Sequence, residues 1–178
     1  MYRKNVCCFI FNDDLKFLGC VRIDNGQYQC VQGGIETEDM DNVLEAGLRE
    51  IKEEIGLLPH DVHFVQEIQP PNGDPTVFRY KTKALKNKYK NCIGQEQRIL
   101  LFYAHESVIK KTVVIPPKEL KIRREFRRVL WVSMDELCEK CPPIKTHIFK
   151  MVNELAIPIA KDYLKISASH PPPTLAKV

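Results

Sequence analysis

Apolar and polar positions follow two rhythms along this chain. Val6 to Phe11 (Val-Cys-Cys-Phe-Ile-Phe) is an unbroken apolar run bounded by Asn5 and Asn12, which predicts a buried strand. Asp13-Asp14 marks a turn, Lys16 to Arg22 returns as a second strand, and Asp24-Asn25-Gly26 is the next turn. A short strand through Tyr28 to Val31 leads into Gln32-Gly33-Gly34, where paired glycines predict a tight bend and a close approach of backbone to ligand. Val62 to Gln69, Thr76 to Lys81, Arg98 to Ala104 and Val129 to Val132 read as further strands, with the Pro70 to Pro75 segment a clear break between the first two.

The rhythm changes between about Asp41 and Ile55. Leu44, Leu48, Ile51 and Ile55 recur at spacings of four, three and four, the apolar stripe of a helix. Gly56 ends it in the left-handed conformation glycine tolerates, and Pro59 prevents its continuation. Ser133 is placed to cap a short helix from Met134 to Glu139, and Ile144 to about Lys165 reads as a closing helix with a kink or break at Pro158. Residues 166–178, with Pro171-Pro172-Pro173, read as a loose tail. Strands before and after a helix, then a terminal helix, predict one α/β domain over residues 1–165, a layered sandwich with a mixed sheet.

On the predicted Asp41–Ile55 helix, Glu50, Glu53 and Glu54 fall opposite the apolar stripe. Glu50 and Glu54 stack one turn apart with Glu53 beside them, and like charges so placed cost a few tenths of a kcal/mol per pair in an isolated helix. A divalent cation reverses that sign. An all-oxygen donor set suits Mg²⁺ or Mn²⁺, which keep water and substrate phosphates in their shell.

Composition narrows the class. With 178 residues and 44% hydrophobic positions the chain can bury a substantial core. No apolar run reaches the length that spans a bilayer, so we expect no membrane partner and an intracellular setting, cytoplasm or mitochondrial matrix. The seven cysteines, an odd number sitting mostly in apolar runs, fit a reducing compartment; Cys138-Glu139-Lys140-Cys141 lacks the second pair a structural zinc wants. The net charge of +4 is concentrated in two runs, Arg79 to Lys90 with Tyr80 and Tyr89 among the cations, and Lys118 to Arg128. Beside an acidic metal site such runs suit a polyphosphate or nucleic acid.

The Gly33-Gly34 loop and the Arg49-Glu50-Ile51-Lys52-Glu53-Glu54-Ile55-Gly56-Leu57 helix, with the strands around them, resemble the Nudix hydrolase superfamily. Tyr2-Arg3-x-Asn5-Val6, Tyr28-Gln29-x-x-Gln32-Gly33-Gly34, Cys92-Ile93-Gly94-Gln95-Glu96-Gln97 and Glu125-Phe126 before Trp131-Val132 are similar to the RNA pyrophosphohydrolase and dinucleoside tetraphosphate hydrolase branch. The interval from Gly33 to Arg49 is sixteen positions, longer than is usual there, which we read as a two-residue insertion in the loop from Glu36 to Met40. The resemblance implies a Nudix-type α/β/α sandwich with a mixed central sheet. It further implies metal ligation by Glu50, Glu53, Glu54, Glu125 and the Gly33 carbonyl, with Mg²⁺ or Mn²⁺ as cofactor. Arg49 then clamps the glutamates through a bidentate fork, and Glu53 or Glu125 serves as base. Arg3, Arg22, Tyr28, Gln95, Phe149 and Lys150 are the implied substrate contacts, on phosphates or bases.

Three functions follow as expectations. The first is an RNA 5′ pyrophosphohydrolase converting 5′-triphosphate or diphosphate ends to monophosphate. The second is a dinucleoside tetraphosphate hydrolase. The third is a Nudix-fold RNA-binding subunit acting with protein partners in an RNA-processing assembly.

Overall fold

The computed structural model describes residues 1–36, 39, 41–83, 85 and 87–169. Its strands are β1 (Tyr2–Phe11), β2 (Phe17–Arg22), β3 (Tyr28–Gln29), β4 (Val31–Gly34), β5 (His63–Ile68), β6 (Arg79–Lys81), β7 (Gly94–Tyr103) and β8 (Phe126–Val132); its helices are α1 (Val43–Ile55), α2 (Met134–Lys140) and α3 (Thr146–Ser169). The strands form one mixed sheet in which β1 is central. β1 runs parallel to β7 from Tyr2↔Gly94 to Phe11↔Tyr103 and antiparallel to β4 from Asn5↔Gly34 to Cys8↔Val31. β2 carries β3 and β8 on one side of the sheet, while β7 carries β5 and β6 on the other.

Alternation along β1 explains the layers. Cys7, Phe9 and Phe11 point to one face, where Ile99 and Leu101 of β7 meet Leu137 of α2 and Ile148, Phe149, Val152, Ala156 and Ala160 of α3. Val6, Cys8 and Ile10 point to the other, where Leu100 and Phe102 meet Ala46, Ile51 and Ile55 of α1. The outcome is the expected α/β/α sandwich, and the continuous apolar run of β1 is the signature of a strand covered on both sides.

Several boundaries differ from expectation for physical reasons. α1 starts at Val43 because the Asn42 side chain accepts from the Glu45 N–H at 3.2 Å, capping the helix; Gly56 closes it at φ 73° as expected. Gly33 and Gly34 do not form a bend. They lie in β4, paired with Val6 and Asn5, and their small size serves close packing instead. Thr76–Phe78 is part of a 3₁₀ turn, and only Arg79–Lys81 is strand. Ile144 belongs to a 3₁₀ turn, Pro143–Lys145, and α3 continues without a break through Pro158. Val152, Ala156 and Ala160 are fully buried at spacings of four on both sides of that proline, so packing on the sheet holds the helix where its hydrogen-bond ladder is interrupted. The expected tail does not begin at Ile166, because Ile166–Ser169 are helical; residues 170–178 of that expectation lie outside the described residues. Among the described residues no helix is long and apolar enough to cross a membrane.

Candidate active site

The packing of α1 against β4 creates the site. A Cβ placed on Gly33 would overlap the Glu50 carboxylate, so only glycine lets this side chain lie directly on the strand backbone. Glu50 is 8% exposed, and burial is the first cause that pushes its carboxyl from 4.5 up to about 7; the neighbouring Glu53 adds to the rise while Arg49 opposes it. Glu54 accepts from the Gln32 N–H of β4 at 3.2 Å, yet burial, with repulsion from Glu50 and Glu125, raises its carboxyl well above the ordinary range. Arg49 donates to Glu50 Oε1 at 2.8 Å and to the Gly34 carbonyl at 3.1 Å, and stands 3.8 Å from Glu53. The expected two-pronged fork onto the glutamates is absent: Nη1 alone meets Glu50 and Glu53, and Nη2 is taken by the Gly34 carbonyl and Asp39. The last of these partners, Asp39 Oδ2 at 3.0 Å, carries no signal in the residue pattern and comes from the segment before α1.

Glu125 arrives from the far side. It precedes β8, whose register with β2 shifts between Val21 and Arg22, and its carbonyl accepts from the Ile23 N–H at 3.1 Å. A bulge of this kind re-aims side chains at the end of a strand pair. Arg22 forks onto Asp24 through two bonds of 2.9 Å and faces Glu125 at 3.6 Å. Glu125 and Arg22 both act electrostatically on Glu54 or its surroundings, so the structure brings Arg22, Glu50, Glu53, Glu54, Glu125 and Arg49 into one neighbourhood.

Beneath the acids lies a polar bed that the sequence does not reveal. Lys145, only 4% exposed, donates to Gln32 Oε1 at 2.8 Å and Gln29 Oε1 at 3.1 Å, and its ammonium sits 4.8 Å from the centre of the Tyr80 ring. Burial lowers its pKa from 10.5 to about 8. Gln97 donates to Gln32 and to Asn5, and Asn5 donates to Gln95 Oε1 at 2.6 Å. The one signal pointing to Lys145 is the pair of glutamines in Tyr28-Gln29-x-x-Gln32, of which Gln29 is buried and Gln32 half-buried, two acceptors that call for a donor.

The remaining expected contacts divide. Arg3 lies against Gly34, stacks on Tyr89 at 4.1 Å and acts on Glu50, so it borders the site. Gln95 enters through Asn5. Phe149 does not offer a stacking face: it is 1% exposed and meets Phe9 edge-on at 5.4 Å in the core. Tyr28 is likewise buried, with Lys140 4.8 Å from its ring centre. Lys150 is exposed in a recess with Asp135, Cys138 and Glu139, whose lining includes none of the α1 glutamates. α3 begins two residues later than expected, and Lys145 on the preceding turn reaches the bed that Phe149 and Lys150 do not. All seven cysteines are free, and the Cys141 thiol is spent on the Cys138 carbonyl at 3.4 Å.

The donor set fits a hard divalent cation. It is all oxygen, gathered on a helix face and a glycine backbone, and two of its carboxylates are held in surroundings that disfavour their charge. Among the described residues no three His, Cys, Asp or Glu side chains are drawn to a single ligand point. Glu50 is turned to Arg49 and Glu54 to the Gln32 amide.

Residues 1–155 match the NUDIX domain family. The chain is 31% identical over 134 residues to the RNA pyrophosphohydrolase of Halorhodospira halophila, covering 74% of this chain and 67% of that protein. It is 33% identical over 101 residues to the RNA pyrophosphohydrolase of Marinomonas sp., covering 56% of this chain and 59% of the relative, less than two thirds of its length. The fold is similar to that of a C. elegans Ap4A hydrolase, with a TM-score of 0.57, 10% identity, and coverage of 86% of this chain and 97% of the other. The helix acids, the glycine strand they rest on and the match over nearly the whole domain lead to one conclusion: the chain belongs to the NUDIX domain family.

Proposed function

We propose that this protein is a divalent-metal-dependent pyrophosphohydrolase that converts the 5′-triphosphate or diphosphate end of RNA to a monophosphate. The observation that carries the reading is the apposition of α1 and β4, which lays Glu50 on the Gly33 backbone and Glu54 on the Gln32 N–H with Glu53 beside Arg49, while Glu125 acts on Glu54 from the β8 side, Arg3 and Arg22 border the site and Lys145 lies beneath it. The relatives named above support RNA as the substrate.

Glu50, Glu53, Glu54, Glu125 and the Gly33 carbonyl would hold Mg²⁺ or Mn²⁺. When bound, the cation neutralises charge on the departing phosphates and makes water a better nucleophile. Arg49 keeps Glu50 turned toward the strand. Glu53 and Glu125 each face an arginine, at 3.8 and 3.6 Å, and one of them accepts the proton of the attacking water. Arg3, Arg22 and Lys145 offset the negative charge of the polyphosphate, and the lysine, fixed by two glutamines, does so without a large entropy cost.

Triphosphorylated RNA incubated with the protein and Mg²⁺ is expected to release pyrophosphate or phosphate. Glu54→Gln is expected to lower turnover by about three orders of magnitude or more without lowering the thermal midpoint of the metal-free protein, because the amide oxygen can still accept from the Gln32 N–H and removes a charge that burial opposes. Cleavage of a dinucleoside tetraphosphate with no conversion of RNA ends would move the assignment to the dinucleotide enzyme.

A further inference from the structure

We propose that the groove beside the acid site holds the single-stranded RNA chain 3′ of the reacting end, with phosphates on Lys81, Lys83 and Lys90 and bases over Ile93 and Ile144. The inference rests on the RNA reading above and adds a binding track to it.

The groove has a volume of about 930 Å³, and Leu85 and Cys92 complete its apolar lining. That is the size of a ligand site, whereas the other recesses described measure about 210 to 420 Å³. Its floor is unusually bare: Ile93 and Ile144 are 52% and 50% exposed. Its cations differ from their neighbours. Lys4 and Arg79 are paired with Glu96, and Lys88 with Glu36 at 3.7 Å, but among the described residues none of Lys81, Lys83 and Lys90 is in an ion pair, and no acid lines the groove.

Three neighbouring pairs in the chain join the groove to the site. Tyr80 lies under the Lys145 ammonium, and Lys81 next to it lines the groove. Lys145 enters the glutamine bed, and Ile144 before it lines the groove. Tyr89 stacks on Arg3, and Lys90 after it lines the groove. A ligand leaving the acid site along these pairs meets unneutralised positive charge over an apolar floor. A single strand combines those two requirements, phosphates at regular intervals and unpaired bases with apolar faces. A dinucleoside polyphosphate has no phosphates beyond its bridge and makes no use of three further lysines.

The test uses fluorescence anisotropy with a labelled 5′-hydroxyl single-stranded RNA of about ten nucleotides, within the range such grooves cover. Lys81→Ala, Lys83→Ala and Lys90→Ala combined are expected to weaken binding at least about tenfold and to flatten the slope of log K against log salt by about 2, the release expected from three phosphates on a single strand. Ile93→Ser, at an exposed position, is expected to weaken binding without changing that slope. The kcat/KM advantage of a triphosphorylated RNA of about ten nucleotides over one of two is expected to vanish in the triple variant. Unchanged affinity and slope in that variant would overturn the proposal, as would poly-glutamate binding as tightly as RNA or an equal loss of dinucleoside tetraphosphate binding. RNA binding that depends on these lysines without conversion of 5′ ends would leave the groove standing and remove the activity. Conversion of ends that ignores chain length and the triple substitution would do the opposite.

Discussion

Glu50 carries a charge its surroundings oppose, and this makes metal binding and pH inseparable. Its carboxyl titrates at about 7 in the folded chain, above the ordinary 4.5 it regains on unfolding. The group therefore favours the folded state fully below about pH 4.5, and that advantage disappears as pH rises through 7. Glu54 is shifted in the same direction. The metal-free protein is expected to lose stability between about pH 5 and about pH 8, by up to about 3 kcal/mol from Glu50, and Mg²⁺ is expected to raise the thermal midpoint more at the upper pH than at the lower. Calorimetry with and without the cation measures both; a cation increment independent of pH would remove these acids from the metal site. The identity of the acids is legible because helical spacing fixes an angle around an axis. Depth is not: a wheel places Glu50 and Glu54 opposite the apolar stripe without indicating that β4 covers that side too. Lys145 escapes for a related reason. It stands outside the helix on a turn with no periodicity, and only its acceptors Gln29 and Gln32 betray it.

At the scale of elements, strands are easier to read than the joins between them. The unbroken apolar runs of β1 and β7 announce strands buried on both faces, while Gly33-Gly34 permits either a bend or close packing, and the choice is made by a helix whose arginine comes sixteen positions later. Pro158 shows tertiary structure overriding a local rule. A proline inside a helix costs about 3 kcal/mol, of which about 1 is recovered through a stiffer unfolded chain. Pro158→Ala is thus expected to stabilise the protein by about 2 kcal/mol in denaturant titration, since α3 already continues through that position. A loss of stability instead would mean that the exposed ring stiffens the unfolded chain by more than it costs the helix. Two described residues before α1, Glu36 and Asp39, make contacts outside their own segment. Asp39 takes the Arg49 nitrogen that Glu50 does not, and Glu36 stands 3.7 Å from Lys88, next to Tyr89.

For the molecule as a whole, the layered architecture follows from alternation, but the order of strands does not. Nothing in the residues of β1 and β7 states that they run side by side in parallel, because both read simply as buried strands. That pairing joins Tyr2 to Gly94 and Phe11 to Tyr103 at the centre of the sheet. Local turns cannot nucleate it, and contacts this distant in sequence slow folding. It also has a meaning during synthesis. The ribosome delivers the central strand first and its parallel neighbour most of a domain later, so the Val6–Phe11 segment waits, apolar and half-partnered, for much of translation. Nascent chains arrested with Tyr103 still inside the exit tunnel are expected to be cut readily by protease and held by chaperones, and those arrested after its emergence to resist both. A strand at the heart of the finished enzyme is, on the ribosome, its most vulnerable piece.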